Sequence, residues 1–390
     1  MAQLETAALA LTLLTRVAIP QLSPSLTEYL ENESVLFSTL ITSYKSLNEG
    51  IFFFKNNLNI YDGGVVHTPP LLIYIIGEFF QGLEIVLWPF IDVIICFTLI
   101  NISKKFPEKK LKPWVIGFIY ALNPIGIMEN ISKSWLIFHS LFTVILFHCS
   151  LNKQWLAMGF FLSLCSYLHY QSLVLIIPII KISNTINFAK TLFVFFVTST
   201  VLYLASYKLS NNSNLFINST YLTSFYFAKI SPNLGLWWYF FIEMFEFFIP
   251  FYTQIFNLLQ IVFIIPLSLR LPFQFSFLLS VAIIKFGNNF AELTDLILIS
   301  GLFLTQSYIF GHLKLAYLGV LLLIMAVILA PIFYHLWINL GSGNSNFFYA
   351  ITLLYNLGLA ISLVDYIWAV LQWEFKLDTK NKNVNKIGLF

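Results

Sequence analysis

The sequence predicts an all-α membrane protein, a polytopic bundle of about twelve transmembrane helices. Hydrophobic residues make up 58% of the 390 residues and charged residues only 10%, whereas soluble domains carry about 25% charged residues. The mean hydropathy is +0.81. Because so few polar groups cannot cover the surface of a water-soluble chain, lipid is the expected solvent for most of the protein.

Twelve apolar runs approach or reach the length needed to cross about 30 Å of hydrocarbon. In chain order they are 4–22, 83–102, 113–128, 134–150, 155–168, 172–182, 189–206, 236–266, 272–286, 293–310, 315–340 and 347–373. The fifth and sixth runs are short and fit either two crossings or one bent pair. The first run follows an acidic residue and contains Arg16, which favours a retained span over a cleavable signal.

The distribution of lysine and arginine indicates the orientation. Twelve crossings place both termini on one side of the membrane. With cytosolic termini, 14 of the 21 basic residues fall in cytosolic segments, six fall on the opposite side, and Arg16 lies inside a span. The positive-inside rule supports this orientation. The sequence therefore predicts a single multi-span membrane domain over 1–390, ending in a cytosolic tail at 374–390.

Two long loops are predicted on the non-cytosolic side. The first loop, 23–70, contains apolar residues at helical spacing over 37–54, which predicts an amphipathic helix on the membrane surface. The second loop, 208–235, is rich in Asn, Ser and Tyr. Sequons for N-glycosylation occur on this side at Asn32, Asn211 and Asn218.

Several function classes are excluded or disfavoured. The net charge of +3 is too small to indicate a nucleic-acid partner. The sequence has no P-loop, no G-x-S-x-G and no H-E-x-x-H motif, and its six histidines lack metal-ligand spacing. Cys96, Cys149 and Cys165 all lie within apolar runs, which is typical of small buried hydrophobic residues. No catalytic residue, metal or cofactor is predicted.

The strongest polar constellation lies at the start of the eighth run. Trp237 and Trp238 fit an interfacial aromatic belt. Tyr239, Glu243 and Glu246 follow i, i+4, i+7 spacing and are expected to share one helix face. The functional interpretation is a polar stripe for a lipid head group, and the alternative is a hydrogen bond between helices. Two carboxylates on one intramembrane face favour the functional interpretation.

Two further constellations leave both interpretations open. The segment from Asp62 through two glycines to His67 predicts a tight turn that either cradles a phosphate or sugar, or serves only as a turn. The segment 335–349 predicts a Gly/Ser/Asn turn between two aromatic helix ends. This turn is either an ordinary helix connection or a ring of amides and hydroxyls at the membrane surface.

These stretches carry a family resemblance. Segments 49–72, 231–248 and 335–354 closely resemble the class U subunits of the GPI transamidase, PIG-U and its fungal counterpart. The string Gly-Ser-x-Asn-Ser-Asn-Phe-Phe-Tyr-Ala-Ile-Thr, from Gly341 to Thr352, is long and specific. Asn123-Pro124 and Asp365-Tyr366 match as well, so the resemblance covers most of the chain in the same order and spacing.

The resemblance implies a multi-pass protein of the endoplasmic-reticulum membrane with twelve spans and a fold like that of the GT-C glycosyltransferases. It implies a non-catalytic subunit whose complex cleaves a C-terminal signal and attaches a GPI lipid in its place. The implied partners are a caspase-like subunit that carries the catalytic cysteine and histidine, a large lumenal subunit and further membrane subunits. The implied ligand is the GPI lipid.

A second function fits the same fold. A GT-C mannosyltransferase would use dolichol-phosphate-mannose, with an acidic residue of the first loop as base. Here the first loop contains Glu31 and Glu33 two residues apart but no Asp-x-Asp. This departure, together with the long match to the class U subunits, favours the non-catalytic role.

The three constellations are predicted to converge on one GPI-binding cavity at the lumenal boundary. In this interpretation the asparagines bind the glycan, the carboxylates bind ethanolamine ammonium groups, and the aromatic rings line the lipid entrance. The predicted binding residues are Asp62, His67, Asn233, Trp237, Tyr239, Glu243, Glu246, Asn344, Asn346 and Phe348.

Overall fold

The computed structural model describes residues 2–106 and 110–377, and every regular element within them is a helix. The all-α prediction is therefore confirmed for these residues. The chain divides into two compact units, unit 1 (1–105 and 112–305) and unit 2 (106–111 and 306–390). Most of the predicted tail at 374–390 lies outside the described residues.

Unit 1 contains sixteen α-helices within the described residues. They are α1 (Ala2–Leu22), α2 (Pro24–Asn32), α3 (Tyr44–Lys55), α4 (Pro70–Ile75), α5 (Glu84–Lys104), α6 (Pro113–Ala121), α7 (Pro124–Ser132), α8 (Leu136–Leu151), α9 (Trp155–Leu168), α10 (Ile176–Ile182), α11 (Thr185–Leu209), α12 (Thr223–Phe225), α13 (Trp237–Ile242), α14 (Ile249–Arg270), α15 (Phe273–Phe286) and α16 (Leu293–Thr305). Unit 2 contains α17 (Ala316–Tyr334) and α18 (Ser345–Leu377). Helix α3 lies within the first long loop.

Six helices in the described part of the chain are long and apolar enough to cross a membrane. They are α1, α5, α11, the segment Glu246–Arg270 that includes α14, the segment Ala316–Asn339 that includes α17, and α18. The bent pair α6 and α7 makes a possible seventh span. Six shorter apolar helices, of 10–17 residues, cover Pro70–Phe80, Leu136–Leu151, Trp155–Leu168, Tyr170–Ile182, Phe273–Phe286 and Leu293–Thr305. Six or seven spans are thus supported, and twelve stays a prediction.

The bend of 55° between α6 and α7 has a local cause. Pro124 lacks an N–H and starts α7, and the side chain of Asn123 accepts the N–H of Ile125 at 3.1 Å. The carbonyl of Ala121 thereby loses the donor that a continuous helix would supply. In an apolar surrounding such a carbonyl needs another hydrogen-bond donor.

Arg16 of α1 supplies that donor. Its guanidinium donates to the carbonyl of Ala121 and, at 3.2 Å, to the carbonyl of Tyr120. Its Nε also pairs with Asp92 of α5 at 2.6 Å, and the hydroxyl of Tyr120 donates to the same carboxylate. Arg16 is 1% exposed and Asp92 is 2% exposed. One buried network therefore joins α1, α5 and α6.

Unit 2 is held by a close helix pair. A Cβ on Gly319 of α17 would lie 2.5 Å from the hydroxyl oxygen of Ser362 and 3.4 Å from the carbonyl oxygen of Gly358 on α18. Only small residues permit this approach. The carboxylate of Asp365 accepts the backbone N–H groups of Lys314 and Leu315, each at 2.9 Å, at the start of α17.

We predict that Arg16→Met lowers the free energy of unfolding by about 3–5 kcal/mol, because it leaves the Asp92 carboxylate buried without its cation. The double variant Arg16→Met/Asp92→Leu should recover part of this loss. Thermal unfolding of the purified chain in detergent measures both. Lys104→Met, which breaks the exposed pair between Lys104 and Glu5, is the control and should cost less than about 1 kcal/mol. An equal loss in the single and double variants would contradict the prediction.

Candidate functional site

The two long loops meet at the turn that follows Asp62. The Nδ1 atom of His67 lies 2.6 Å from the carbonyl oxygen of Ser219, and its Nε2 atom lies 3.3 Å from the Nζ of Lys229. Because an ammonium can only donate, Nε2 accepts and Nδ1 carries the proton that Ser219 accepts. Lys229 also donates to the carbonyl of Gly64, whose positive φ of 64° suits glycine. We call these contacts the loop clasp.

The turn itself presents opposite charges. Asp62 is exposed, and its carboxylate accepts a hydrogen bond from the side chain of Asn59 at 2.7 Å. The Nζ of Lys229 lies 3.5 Å from the position a Cβ on Gly64 would take. Lys229 is not predictable from the sequence, since a lone lysine in a polar loop carries no pattern. With Lys229 added, the turn offers a carboxylate and an ammonium to a ligand.

The predicted helix face of Tyr239, Glu243 and Glu246 is wrong. Helix α13 ends at Ile242, the backbone at Phe245 is extended, and Glu246 begins a separate 3₁₀ turn before α14. Pro250 cannot donate to the carbonyl of Glu246, which removes one bond that a continuous helix would need. The three side chains therefore lie on two elements joined by a break.

Packing against α14 fixes the position of α13. The ring of Trp237 stacks on Phe256, with centroids 3.8 Å apart and planes within 14°. Its indole N–H points to the carbonyl of Gly287 at 3.4 Å. The ring of Trp237 therefore packs against α14. This position differs from the lipid entrance that the sequence predicted for Trp237. Tyr239 stays half-buried beside Trp238.

The break between α13 and α14 opens a cavity of about 350 Å³. Its wall consists of Phe240, Glu243, Met244, Phe245, Phe248 and Tyr252. Glu243 is exposed and is the one carboxylate of this wall. A carboxylate among aromatic rings suits an ammonium group, because both the charge and the ring faces attract cations. We call this space the Glu243 cavity.

Asn233 is corrected from a glycan contact to a structural residue. Its side chain is fully buried and donates to the carbonyls of Ser231 at 2.9 Å and Asn289 at 3.1 Å. Its oxygen accepts the N–H of Gly235 at 2.6 Å. Both amide hydrogens are therefore occupied, and no open surface remains for a ligand.

The third predicted stretch belongs to unit 2. The side-chain oxygen of Asn344 accepts the N–H of Asn346 at 3.0 Å, which caps the start of α18, and both residues are exposed. Phe348 is fully buried, with its ring 5.3 Å from Tyr334 and 6.2 Å from Trp337. Phe348 is therefore a packing residue, and its ring does not line the lipid entrance that the sequence predicted. Convergence of this stretch with the other two stays a prediction.

Buried charges in unit 1 were also missed. Glu292, between α15 and α16, accepts the N–H and the hydroxyl of Thr39, at 3.2 and 2.8 Å. Burial raises the pKa of Glu292 to about 8. Lys285 pairs with Asp295 at 2.8 Å. The sequence signal for these buried groups is the presence of charged residues next to apolar runs.

Among residues 2–106 and 110–377, no group of three or more His, Cys, Asp and Glu side chains is placed to hold a metal ion. The cysteines at 96, 149 and 165 are all buried. A thiolate nucleophile needs an accessible, electropositive position, which a buried apolar cysteine does not have.

Comparison with known proteins gives a consistent result over most of the chain. The family model described as GPI transamidase subunit PIG-U matches residues 10–355. The GPI transamidase component GAB1 of Saccharomyces cerevisiae is 39% identical over 370 residues, which covers 92% of this chain and 93% of the relative. The GPI-anchor transamidase component PIGU of Homo sapiens is 26% identical over 396 residues, covering 90% and 91%. A homolog of GAB1 in Schizosaccharomyces pombe is 27% identical, covering 86% of each chain.

We predict that acidification opens the loop clasp. Burial lowers the pKa of His67, with the Lys229 ammonium adding to the effect and the Ser219 hydrogen bond opposing it. A histidine with a lowered pKa contributes stability that is complete above its ordinary value of about 6.5 and is lost below it. From pH 7.5 to 5.5, opening should rise by up to about tenfold.

Hydrogen exchange of segment 61–68, corrected for intrinsic rates, measures this opening. His67→Gln should remove the pH dependence, and His335→Gln, at an exposed position of unit 2, should keep it. A pH dependence that survives in His67→Gln would refute the assignment.

Proposed function

Because the chain belongs to the PIG-U family of GPI transamidase subunits, we propose that it is the non-catalytic subunit that recognises the GPI lipid and helps present it for attachment. The relatives from S. cerevisiae and H. sapiens are named as transamidase components, which supports a subunit role. The single observation that carries lipid recognition is the Glu243 cavity, a carboxylate within an aromatic wall at a break in an apolar segment.

In this proposal the other subunits of the complex catalyse the transamidation. The three buried cysteines support a non-catalytic role for this chain. The proposed partners are a caspase-like subunit with the catalytic cysteine and histidine, a large lumenal subunit and further membrane subunits. The alternative, a dolichol-phosphate-mannose-dependent mannosyltransferase, gains no support from relatives that are named as transamidase components.

In this proposal the protein is a multi-pass protein of the endoplasmic-reticulum membrane, with about twelve spans, cytosolic termini and a GT-C-like arrangement. The burial of the short helices supports more crossings than helix length alone indicates. Eleven of the fourteen residues of α15 are buried, so protein surrounds this helix. The apolar window of α11 is only 6% buried and has the length that direct contact with lipid requires.

The GPI lipid carries phosphates and ethanolamine ammonium groups on a glycan, above two acyl chains. Glu243 and the neighbouring exposed Glu246 would take an ammonium group. Asp62 and Lys229 at the loop clasp would hold a further charged group of the glycan. Asn344 and Asn346 remain candidate glycan contacts because both are exposed.

We predict that Asn211 carries a glycan and that both termini are cytosolic. Asn211 is exposed, just after α11, with a positive φ of 54°. In the sequons of Asn218 and Asn32 the hydroxyl-bearing residue, Thr220 and Ser34 respectively, is buried. Asn211→Gln should abolish the gel shift produced by glycosidase treatment of microsomes, whereas Asn218→Gln should not. Full protection of a C-terminal tag from protease in sealed microsomes would overturn this topology.

We predict that Glu243→Gln/Glu246→Gln lowers crosslinking of a photoreactive GPI in the assembled complex by about tenfold. This is the loss expected for one charge-assisted hydrogen bond. Both substitutions keep side-chain size and remove only charge. Glu78→Gln, at an exposed carboxylate elsewhere in unit 1, is the matched control. Normal crosslinking and anchor attachment in the double variant would show that the Glu243 cavity is not the GPI site.

A further inference from the structure

A second cavity lies where α1 turns into α2. Its volume is about 370 Å³, within the range of about 300–1,000 Å³ that is usual for small-molecule sites. Four helices, α1, α2, α5 and α7, contribute to its wall. Because α1 and α5 are candidate spans and the cavity lies at their ends, it lies at the level of lipid head groups. It shares no lining residue with the Glu243 cavity.

Three carboxylates belong to this wall. Glu28, Glu31 and Glu84 line the cavity, and Lys133 pairs with Glu31 at 2.9 Å. Arg16 also lines it but is bound to a carboxylate outside the wall. In the described part of the chain, neither Glu28 nor Glu84 has a basic side chain within ion-pair distance. The wall therefore has an excess of negative charge that suits a cationic group.

Glu84 is the more constrained of these carboxylates. It is only 9% exposed, and one of its oxygens accepts the N–H of Gly82 at 2.9 Å. A carboxylate that is nine-tenths buried without a cation is costly, and a bound ammonium would offset that cost. Glu28 is exposed at the rim of the same cavity.

The wall also offers donors. Asn130 is 3% exposed and lines the cavity, and its side-chain nitrogen has no hydrogen-bond partner among the described residues. A buried donor without a partner is uncommon and indicates a missing acceptor. The ammonium of Lys133 provides a positive charge in the same wall. A ligand that matches this wall carries a cation and an anion together.

Two simpler ligands fit less well. A divalent cation would need several carboxylates around one point, and no such group of three exists in residues 2–106 and 110–377. A quaternary ammonium has no N–H to donate to the carboxylates. A primary ammonium has three N–H donors, and a neighbouring phosphate would accept from an amide and a lysine.

We propose that this cavity binds a phosphoethanolamine group, with its ammonium at Glu28 and Glu84 and its phosphate at Lys133 and Asn130. Two membrane molecules carry this group, phosphatidylethanolamine and the GPI glycan. Binding of the GPI glycan in this cavity rests on the function proposed above, whereas binding of phosphatidylethanolamine does not.

Native mass spectrometry of the full chain, released from phosphatidylcholine nanodiscs, tests head-group recognition. Phosphatidylethanolamine should bind about tenfold more tightly than phosphatidylcholine with the same acyl chains, because only the former donates N–H groups to the carboxylates. Glu84→Gln and, separately, Glu28→Gln should remove most of this preference. Glu33→Gln, an exposed carboxylate of the same loop outside the cavity wall, should keep it.

Equal binding of the two lipids by the unaltered chain would overturn the proposal. So would a preference that survives in both Glu28→Gln and Glu84→Gln; Glu28→Gln lies at the exposed rim and is not expected to disturb folding. Normal GPI crosslinking in the Glu243 variants, which would refute the proposed GPI site, leaves the preference for phosphatidylethanolamine untouched, so failure of the two proposals is distinguishable.

The assembled complex distinguishes the two sources. GPI substrates with and without phosphoethanolamine branches are compared in the Glu28→Gln/Glu84→Gln variant. A slower attachment confined to the branched substrate identifies the GPI glycan as the source. An unchanged attachment of both substrates, together with a lost preference for phosphatidylethanolamine, identifies the phospholipid.

Discussion

The arrangement of unit 1 depends on an arginine inside its first helix. Arg16 satisfies the carbonyl that the break at Asn123-Pro124 leaves without a helical partner, and it neutralises Asp92. In hydrocarbon every backbone polar group must find a partner within the protein. The carbonyl at the break therefore needs the donor that Arg16 supplies, and the Arg16 guanidinium needs the acceptors that this carbonyl and Asp92 supply. These contacts hold α1, α5 and α6 together. They also place Arg16 in the wall of the cavity at the turn between α1 and α2.

Burial divides the helices of unit 1 into two kinds. Helices α11 and the Glu246–Arg270 segment are long and mostly exposed, with 6% and 17% of their apolar windows buried. Helices α8, α15 and α16 are short and mostly buried. A helix surrounded by protein can end in a polar connection such as that of Glu292, because side chains like Thr39 donate hydrogen bonds to its carboxyl oxygen. Among these five elements the longer ones are the more exposed, whereas α5, with 21 residues, has 56% of its apolar window buried.

The two cavities that carry the proposals share an origin. Each lies where a helix stops, at the break between α13 and α14 or at the turn between α1 and α2. An interruption leaves space between neighbouring helices and brings polar side chains to the membrane boundary. Glu243 and Glu84 lie at these interruptions, and neither carboxylate has a basic side chain within ion-pair distance in the described residues. In both proposals, recognition of a charged head group would follow from where the helices end.

The sequence alone determined the helical class, the membrane as solvent and the family, because these depend on composition, apolar runs and a long specific string around Gly341–Thr352. It also located Glu243 and the turn at Asp62. It did not reveal the break after Ile242, since the apolar run 236–266 extends on both sides of Glu243 and Glu246. The stacking of Trp237 on Phe256 sets the position of α13. The sequence predicted Asn233 and Phe348 as ligand contacts, yet tertiary contacts bury both side chains. Lys229 joined the site only through folding, because a contact across 165 positions leaves no trace in local pattern.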